Sequence, residues 1–149
     1  GDHRDLHVRS RRQRQMCIRD RDVTRVKEID KQSNGKIKVF GGIMGYESYL
    51  NGAIGWVSVP SNIVPLESTN IYENIKVKKN FENAKKIYDK ITPVIKLVGK
   101  HYYVAATKYM LNLMGLDVGK PLLPRLDLSD SKKRECRKVF KELNIKKIN

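Results

Sequence analysis

The chain has 149 residues, of which 40% are hydrophobic and 32% charged, and its formal net charge at pH 7 is +15. No apolar run approaches the ~18 residues of a membrane-spanning helix and no signal-peptide pattern is present, so we predict a cytoplasmic protein without a membrane partner. Two cysteines form neither a disulfide framework nor a cysteine metal site. The positive charge leaves nucleic acid open as a partner.

The first 21 residues differ in composition from the rest of the chain. They contain seven arginines and no lysine, whereas residues 22–149 contain twenty lysines and four arginines. Residues 16–20, Met-Cys-Ile-Arg-Asp, also match the translation of a transposase-end adapter used in sequencing libraries. We therefore expect residues 1–21 to be a non-native, adapter-derived or disordered basic segment. The alternative is a natural basic arm that binds nucleic acid.

The region 22–149 begins with a predicted helix. Asp22 can cap this helix, and Val23, Val26 and Ile29 form one apolar face that ends at the turn residues 33–35. Lys27 lies in the middle of the helix, away from any strand end. We therefore interpret Lys27 as an ordinary solvated lysine.

Two short apolar runs follow and flank a compact helical pattern. Residues 36–40 stop at a Gly-Gly pair, and residues 55–59 stop at Pro60. Between them, residues 44–50 allow barely two helical turns, so the two strands are joined by a crossover and should lie parallel. In parallel α/β folds the loops after the strands build the site, although a purely structural turn is the alternative.

Four helices are predicted from apolar periodicity and end signals, at residues 66–75, 80–100, 102–114 and from 130 onward. Pro93 is expected to kink the second of them, Gly115 to end the third, and Ser129 to cap the last. Cys136 falls on the apolar face of the last helix, so we predict a small core residue. His101 has no second ligand at suitable spacing, and we expect no metal site.

Residues 51–65 read Asn-Gly-Ala-x-Gly-x-Val-Ser-Val-x-x-Asn-x-x-Pro, and with the preceding Gly-Gly pair they resemble the seventh and eighth strands of the dihydrodipicolinate synthase and N-acetylneuraminate lyase family. Three further segments agree with the family in order and spacing. They are a helix after the barrel, a Lys-x6-Gly-Leu segment and a Pro-rich turn, at residues 84–93, 108–116 and 121–124. The resemblance runs from about Asp22 to the end of the chain.

The resemblance implies an α/β fold, because family members are class I pyruvate aldolases on a (β/α)8 barrel. A whole barrel of this kind needs about 250 residues. We therefore expect the chain to hold the C-terminal part of a barrel, with its last strands, and a C-terminal helical layer. The full-length parent is expected to be a homo-oligomer.

The chemistry implied by the resemblance depends on residues upstream of Asp22. Family members form an imine between a lysine of the sixth strand and the 2-keto carbon of pyruvate, and a tyrosine from the middle of the barrel moves the protons. The substrates would be pyruvate and an aldehyde or 2-keto acid, without a cofactor. Because neither catalytic residue lies in residues 22–149, we assign no catalytic residue and expect the chain alone to be inactive.

The resemblance assigns Gly42, Ile43 and Val57 to substrate binding. Gly42 would let the backbone approach the ligand, and the Val57 carbonyl would face the imine. Sialic acid lyases carry acidic residues after the second glycine and a serine near the end of strand eight, where this chain has Ile43, Met44 and Val59. A sugar-acid substrate is therefore disfavoured.

The alternative function is that of a basic nucleic-acid-binding protein, whose affinity for nucleic acid would fall steeply as the salt concentration rises.

Overall fold

A computed structural model describes residues 22–99 and 102–148, together with the backbone of residues 15–18. The expectation for His101 and most of those for residues 1–21 therefore lie outside the described residues. The chain divides into two compact units, Gly1–Val57 and Ser58–Asn149. Within the described ranges, no helix combines the length and the apolar character needed to cross a membrane.

The first unit is a three-stranded parallel sheet with two connecting helices. Its strands are β1 (Gln15–Ile18), β2 (Lys38–Gly41) and β3 (Gly55–Trp56), in the order β1-β2-β3. Gln15 pairs with Lys38 in one ladder, and Phe40 pairs with Gly55 in the other. Helix α1 (Thr24–Gln32) joins β1 to β2, and α2 (Gly45–Leu50) joins β2 to β3. The predicted βαβ unit is confirmed, and a second βαβ unit precedes it.

Strand β1 lies inside the segment that we expected to be non-native, and no strand was predicted there. Its pairing with β2 places it where the resemblance puts the sixth barrel strand. The origin of residues 1–21 stays a prediction.

Helix α1 packs its single fully buried residue, Val26, against Val39 and Ala53. At its start, the Asp22 carboxylate accepts hydrogen bonds from the Thr24 backbone N–H at 3.1 Å and from the Thr24 hydroxyl at 2.6 Å. The residue at the cap position is Val23, which makes no side-chain capping hydrogen bond, so Asp22 lies one residue before the cap position that was predicted for it. Asp22 still accepts from an N–H group that a helix start leaves free. Lys27 is exposed, as predicted.

The observed strand bounds differ from the predicted ones for local reasons. Lys36 and Ile37 donate their backbone N–H groups to the carbonyl and the hydroxyl of Ser33, so β2 begins only at Lys38. Beyond β3, Val59–Asn62 forms a 3₁₀ helix in which the Ser58 hydroxyl accepts from the Ser61 N–H at 3.2 Å. The prediction that residues 57–59 belong to a strand is therefore wrong.

The described residues of the second unit form four α-helices, and all four were predicted: α3 (Pro65–Tyr72), α4 (Phe81–Val98), α5 (Tyr103–Leu113) and α6 (Asp130–Glu142). Helix α3 continues as a π-helical turn, Glu73–Val77. Helix α4 contributes more buried residues to the core than any of the other three helices, namely Ala84, Tyr88, Ile91, Val94, Ile95, Leu97 and Val98. Together with the sheet of the first unit, these helices confirm the predicted α/β fold with a C-terminal helical layer.

Two polar side chains are buried along α3 and its continuation. Ser68 donates to the Val64 carbonyl at 3.0 Å, and Asn74 donates to the Asn70 carbonyl at 2.7 Å. Both are satisfied, so burying them costs little. They share the buried face with Ile71, whereas Leu66, predicted to lie on the apolar face, is 75% exposed.

Helix α6 begins and packs as predicted. The Ser129 hydroxyl accepts a hydrogen bond from the Lys132 backbone N–H at 3.4 Å, and Cys136 is 1% exposed. Burial is the main cause that raises the pKa of the Cys136 thiol to about 11. The thiol is therefore a neutral core group at physiological pH.

The Ser129 cap can be tested against a serine of the same helix. Ser129→Ala removes the side-chain acceptor and should lower the free energy of unfolding by about 1 kcal/mol. Ser131→Ala is the matched control, because Ser131 lies exposed inside α6, where alanine is the better helix former. Urea unfolding followed by circular dichroism measures both variants. Equal effects of the two substitutions would contradict the assigned cap.

The raised pKa of Cys136 predicts a loss of stability at alkaline pH. The folded state retains the thiol proton that the unfolded state loses at about pH 9, so this contribution falls from pH 9 to about pH 11. Between pH 9 and pH 11 the free energy of unfolding of the wild type should therefore fall by up to about 2 kcal/mol more than that of Cys136→Ala. The difference between their urea unfolding curves at pH 8 and pH 11 tests this, and parallel pH dependence would refute it.

Candidate functional site

The sequence-predicted site residues all lie in the first unit, directly after β2 and β3. Gly42 and Ile43 follow β2, and Val57 follows β3, where its backbone N–H donates to the Gly41 carbonyl at 2.9 Å. Because the strands are parallel, both segments leave the sheet at the same edge. Gly42 is buried, Ile43 is half-buried and Val57 is 53% exposed. The structure thus brings the segments that carry the three residues to one edge.

Trp56 fixes the loop after β2. Its indole N–H donates to the Gly42 carbonyl, and its ring lies against Gly45, where a Cβ atom would overlap the ring. The Gly42 carbonyl is therefore held by the protein itself. Any side chain at position 45 would push α2 away from the indole. The sequence analysis missed this role of Trp56.

Ser48 supports the same loop from within α2. It is 1% exposed, and its hydroxyl donates to the Met44 carbonyl at 2.5 Å. A Cβ atom on Gly41 would lie 2.6 Å from the Ser48 hydroxyl oxygen and would also overlap its Cβ. Gly41 and Ser48 therefore let α2 sit directly on the end of β2. The sequence held one weak signal for this role of Ser48. Ser48 comes four residues after Met44, and a serine hydroxyl on a helix can donate to the carbonyl four residues before it.

The site offers backbone groups and apolar side chains. None of Gly42, Ile43 and Val57 carries a group that can transfer a proton. Among the described residues there is no group of three His, Cys, Asp or Glu side chains that could hold a metal ion. Tyr46 and Tyr49, on α2, are both buried. Gly42, Ile43 and Val57 can therefore shape and line a pocket but cannot themselves carry out acid–base chemistry.

One acidic side chain lies close in sequence to this loop. Glu47 follows Tyr46 in the first turn of α2, where the helix dipole favours negative charge. Its Oε2 atom is buried and has no hydrogen-bond partner among the described residues. Burying a carboxylate oxygen in this way is costly. Glu47 therefore places a carboxylate close in sequence to a loop whose own side chains, Ile43 and Met44, are apolar.

A family profile matches most of the chain. The profile of the Dihydrodipicolinate synthetase family matches residues 17–143. Its first matched residue, Cys17, lies within β1.

Curated relatives match part of the chain and are much longer than it. The 4-hydroxy-tetrahydrodipicolinate synthase of Archaeoglobus fulgidus is 33% identical over 94 residues, which make up 63% of this chain and 32% of that protein. The chain spans about a third of the length of the curated relatives it matches.

Two solved structures extend the comparison. The Acinetobacter baumannii dihydrodipicolinate synthase complexed with pyruvate is 28% identical, with a TM-score of 0.75, and the match covers 83% of this chain and 43% of that one. The enzyme from Cyanidioschyzon merolae with lysine bound has a TM-score of 0.82 at 18% identity, over 94% of this chain and 48% of that one. Both therefore share the fold of this chain over less than half of their own length.

Because Gly41 lies so close to Ser48, we predict that Ser48→Gly restores part of the stability that Gly41→Ala removes. Gly41→Ala places a methyl group where Ser48 already lies and should cost about 1–3 kcal/mol of stability. Ser48→Gly removes the overlapping atoms, so the double variant should be more stable than the sum of the two single effects by at least about 1 kcal/mol.

Gly52→Ala serves as the control for this double-mutant cycle. Gly52 has a φ of +99°, and an added Cβ would meet nothing within 4 Å. Its cost therefore comes from backbone strain alone, and Ser48→Gly should not relieve it. Urea unfolding of the single and double variants gives the coupling energies. Equal coupling of Ser48→Gly with both glycine substitutions would refute the proposed contact.

Proposed function

Because the chain belongs to the Dihydrodipicolinate synthetase family, we propose that the whole protein is a pyruvate-dependent lyase or synthase that forms a Schiff base with its substrate. The profile match over residues 17–143 is the observation that carries this proposal. The reaction is an aldol condensation of pyruvate with an aldehyde or 2-keto acid, or the reverse cleavage.

The proposed chemistry needs one amine and one proton carrier. A lysine amine condenses with the 2-keto carbon of pyruvate and releases water, and the resulting protonated imine withdraws electrons from the neighbouring methyl group. Loss of a methyl proton then gives an enamine whose carbon attacks the carbonyl of the second substrate. A tyrosine elsewhere in the barrel moves the protons. Neither group is assigned to the described part of this chain.

This chain contributes part of the substrate pocket in the proposal. Gly42 brings the backbone close to the bound keto acid, and the Val57 carbonyl faces the imine. Since the Gly42 carbonyl already accepts from Trp56, we assign that carbonyl a structural role. Ile43 supplies an apolar wall beside them.

The proposed second substrate is less polar than a sugar acid. Ile43 and Met44 occupy the positions where acidic side chains would hold substrate hydroxyls. A buried hydroxyl that faces such side chains loses hydrogen bonds at about 1–3 kcal/mol each. A short aldehyde or keto acid avoids that cost.

The chain alone is expected to be inactive. β1 occupies the place of the strand that carries the lysine, and its sequence, Gln-Met-Cys-Ile, contains none. Lys27 and Lys38, the lysines of α1 and β2 that come nearest in sequence, are both exposed. An amine that forms an imine readily is held in a desolvated pocket, which an exposed lysine side chain does not provide.

The remaining features of the whole protein are part of the same proposal. We propose a homo-oligomer that acts in the cytoplasm on small molecules without a cofactor. Nucleic-acid binding, the alternative raised by the charge of +15, gains no support from the family and the relatives found.

Trapping with borohydride tests the proposed imine. Pyruvate and borohydride should leave the mass of this chain unchanged, whereas the full-length protein, completed from the upstream coding sequence, should gain one reduced pyruvate per chain. Peptide mapping should locate that adduct upstream of Asp22. The control omits pyruvate from both reactions.

The results for the full-length protein and for the present chain test two different claims. A full-length protein that gains no adduct would overturn the proposed Schiff-base chemistry. A stoichiometric single-site adduct on the present chain would instead leave the chemistry standing and overturn the claim of inactivity. Lys38→Arg and Lys108→Arg would then identify the reacting amine.

A further inference from the structure

A cavity of about 200 Å³ lies in the second unit, and none of its lining residues is assigned to substrate binding. It is bounded by α5, by the loop that follows α5 and by the first turn of α6. Since a water molecule occupies about 30 Å³ of liquid volume, the cavity has room for a small polyatomic ion.

Three lysines and one aspartate line this cavity: Lys108, Lys120, Lys133 and Asp127. Lys133 pairs with Asp127, with 3.0 Å between Nζ and Oδ2. That hydrogen bond is the main reason that the pKa of Asp127 lies below its ordinary value. Lys108 and Lys120 have no ion pair within the described ranges. Three positive charges and one negative charge leave a formal charge of +2 in the lining.

The position of Lys108 is fixed by backbone groups. Its ammonium donates to the Val118 carbonyl at 2.9 Å and to the Lys120 carbonyl at 3.0 Å. These two bonds orient the ammonium without cancelling its charge, and they leave its third N–H free to donate. The long side chain is therefore already ordered before a ligand arrives, which lowers the entropy cost of binding.

Neighbouring polar groups add donors to this cavity. The Tyr109 hydroxyl accepts a hydrogen bond from the Arg137 guanidinium, so its own proton remains available. The Asp127 carboxylate is engaged on both oxygens, by the Leu128 N–H at 2.8 Å and by Lys133. The lining thus presents donors and positive charge, while its one carboxylate is occupied.

We propose that this cavity of the second unit binds a phosphate group through Lys108, Lys120 and Tyr109. A phosphate carries about two negative charges and only acceptor oxygens, which matches the charge and the donors of the lining. The group is either free phosphate or the phosphate of a small monoester. The site shares no residue with the proposed keto-acid pocket, and its occupation does not depend on the proposed reaction.

Isothermal titration of the full 149-residue chain tests this proposal. Inorganic phosphate should bind saturably with one site per chain at constant ionic strength. Lys120→Gln should weaken the affinity about tenfold, because it removes one charge-assisted hydrogen bond. Since only the Lys120 carbonyl, and not its side chain, holds Lys108, this variant leaves the loop intact. A parallel titration with glycerol 3-phosphate distinguishes a monoester from free phosphate by the tighter of the two affinities.

Lys138→Gln is the matched control. Lys138 lies on α6 with its side chain 75% exposed, pairs with Glu142 and does not line the cavity. This substitution removes the same charge, and its effect should stay below about twofold because Lys138 does not line the cavity and therefore makes no hydrogen bond to the bound phosphate. Tyr109→Phe should also weaken binding while preserving the fold. Absence of saturable binding, or equal effects of Lys120→Gln and Lys138→Gln, would overturn the site.

Discussion

The close approach of α2 to the strand ends is the constraint on which the first unit depends. Two positions along this contact leave no room for a side chain, since Gly41 faces Ser48 and Gly45 faces the Trp56 ring. A third glycine, Gly55, faces the Phe40 ring where β3 pairs with β2. A helix of six residues buries too little apolar surface to hold its position by area alone. Steric fit at these glycines, together with the bond from Trp56 to Gly42, therefore sets the geometry of the loop.

The same constraint explains why the site is made of backbone. A loop that follows a strand directly and is covered by a helix in close contact has little space for large side chains. What such a loop can offer a ligand is a fixed peptide group and a small apolar wall, here Gly42 and Ile43. Under the proposed function, catalytic side chains would come from other strands, as in barrels whose reacting groups are spread over several strand ends.

The sequence predicts those parts of the fold that local patterns encode. Apolar runs bounded by glycine and proline predicted β2, α2 and β3, and helical periodicity predicted α3 to α6. The sequence-based predictions are wrong where tertiary contacts, and not local patterns, determine which residues are buried. Leu66 is exposed while Ser68 is buried, because a satisfied serine hydroxyl can replace an apolar group on a packed face. β1 was missed because residues 1–21 were set aside together as a non-native segment, although Gln15–Ile18 itself contains no basic residue.

The candidate site was predictable to a smaller extent, since a backbone site leaves little trace in side chains. The Gly-Gly pair after a strand indicated where the loop lies, but nothing local indicated that the Trp56 indole, fourteen residues from Gly42, would hold its carbonyl. A hydrogen bond of this kind depends on the register that pairs Gly41 with Trp56. This register in turn requires α2 to be short, because the connection from β2 to β3 must bring Trp56 back beside Gly41. The length of α2 therefore links the sequence to the geometry of the site, and a one-residue insertion in α2 would misplace Trp56 while leaving every residue of the loop unchanged.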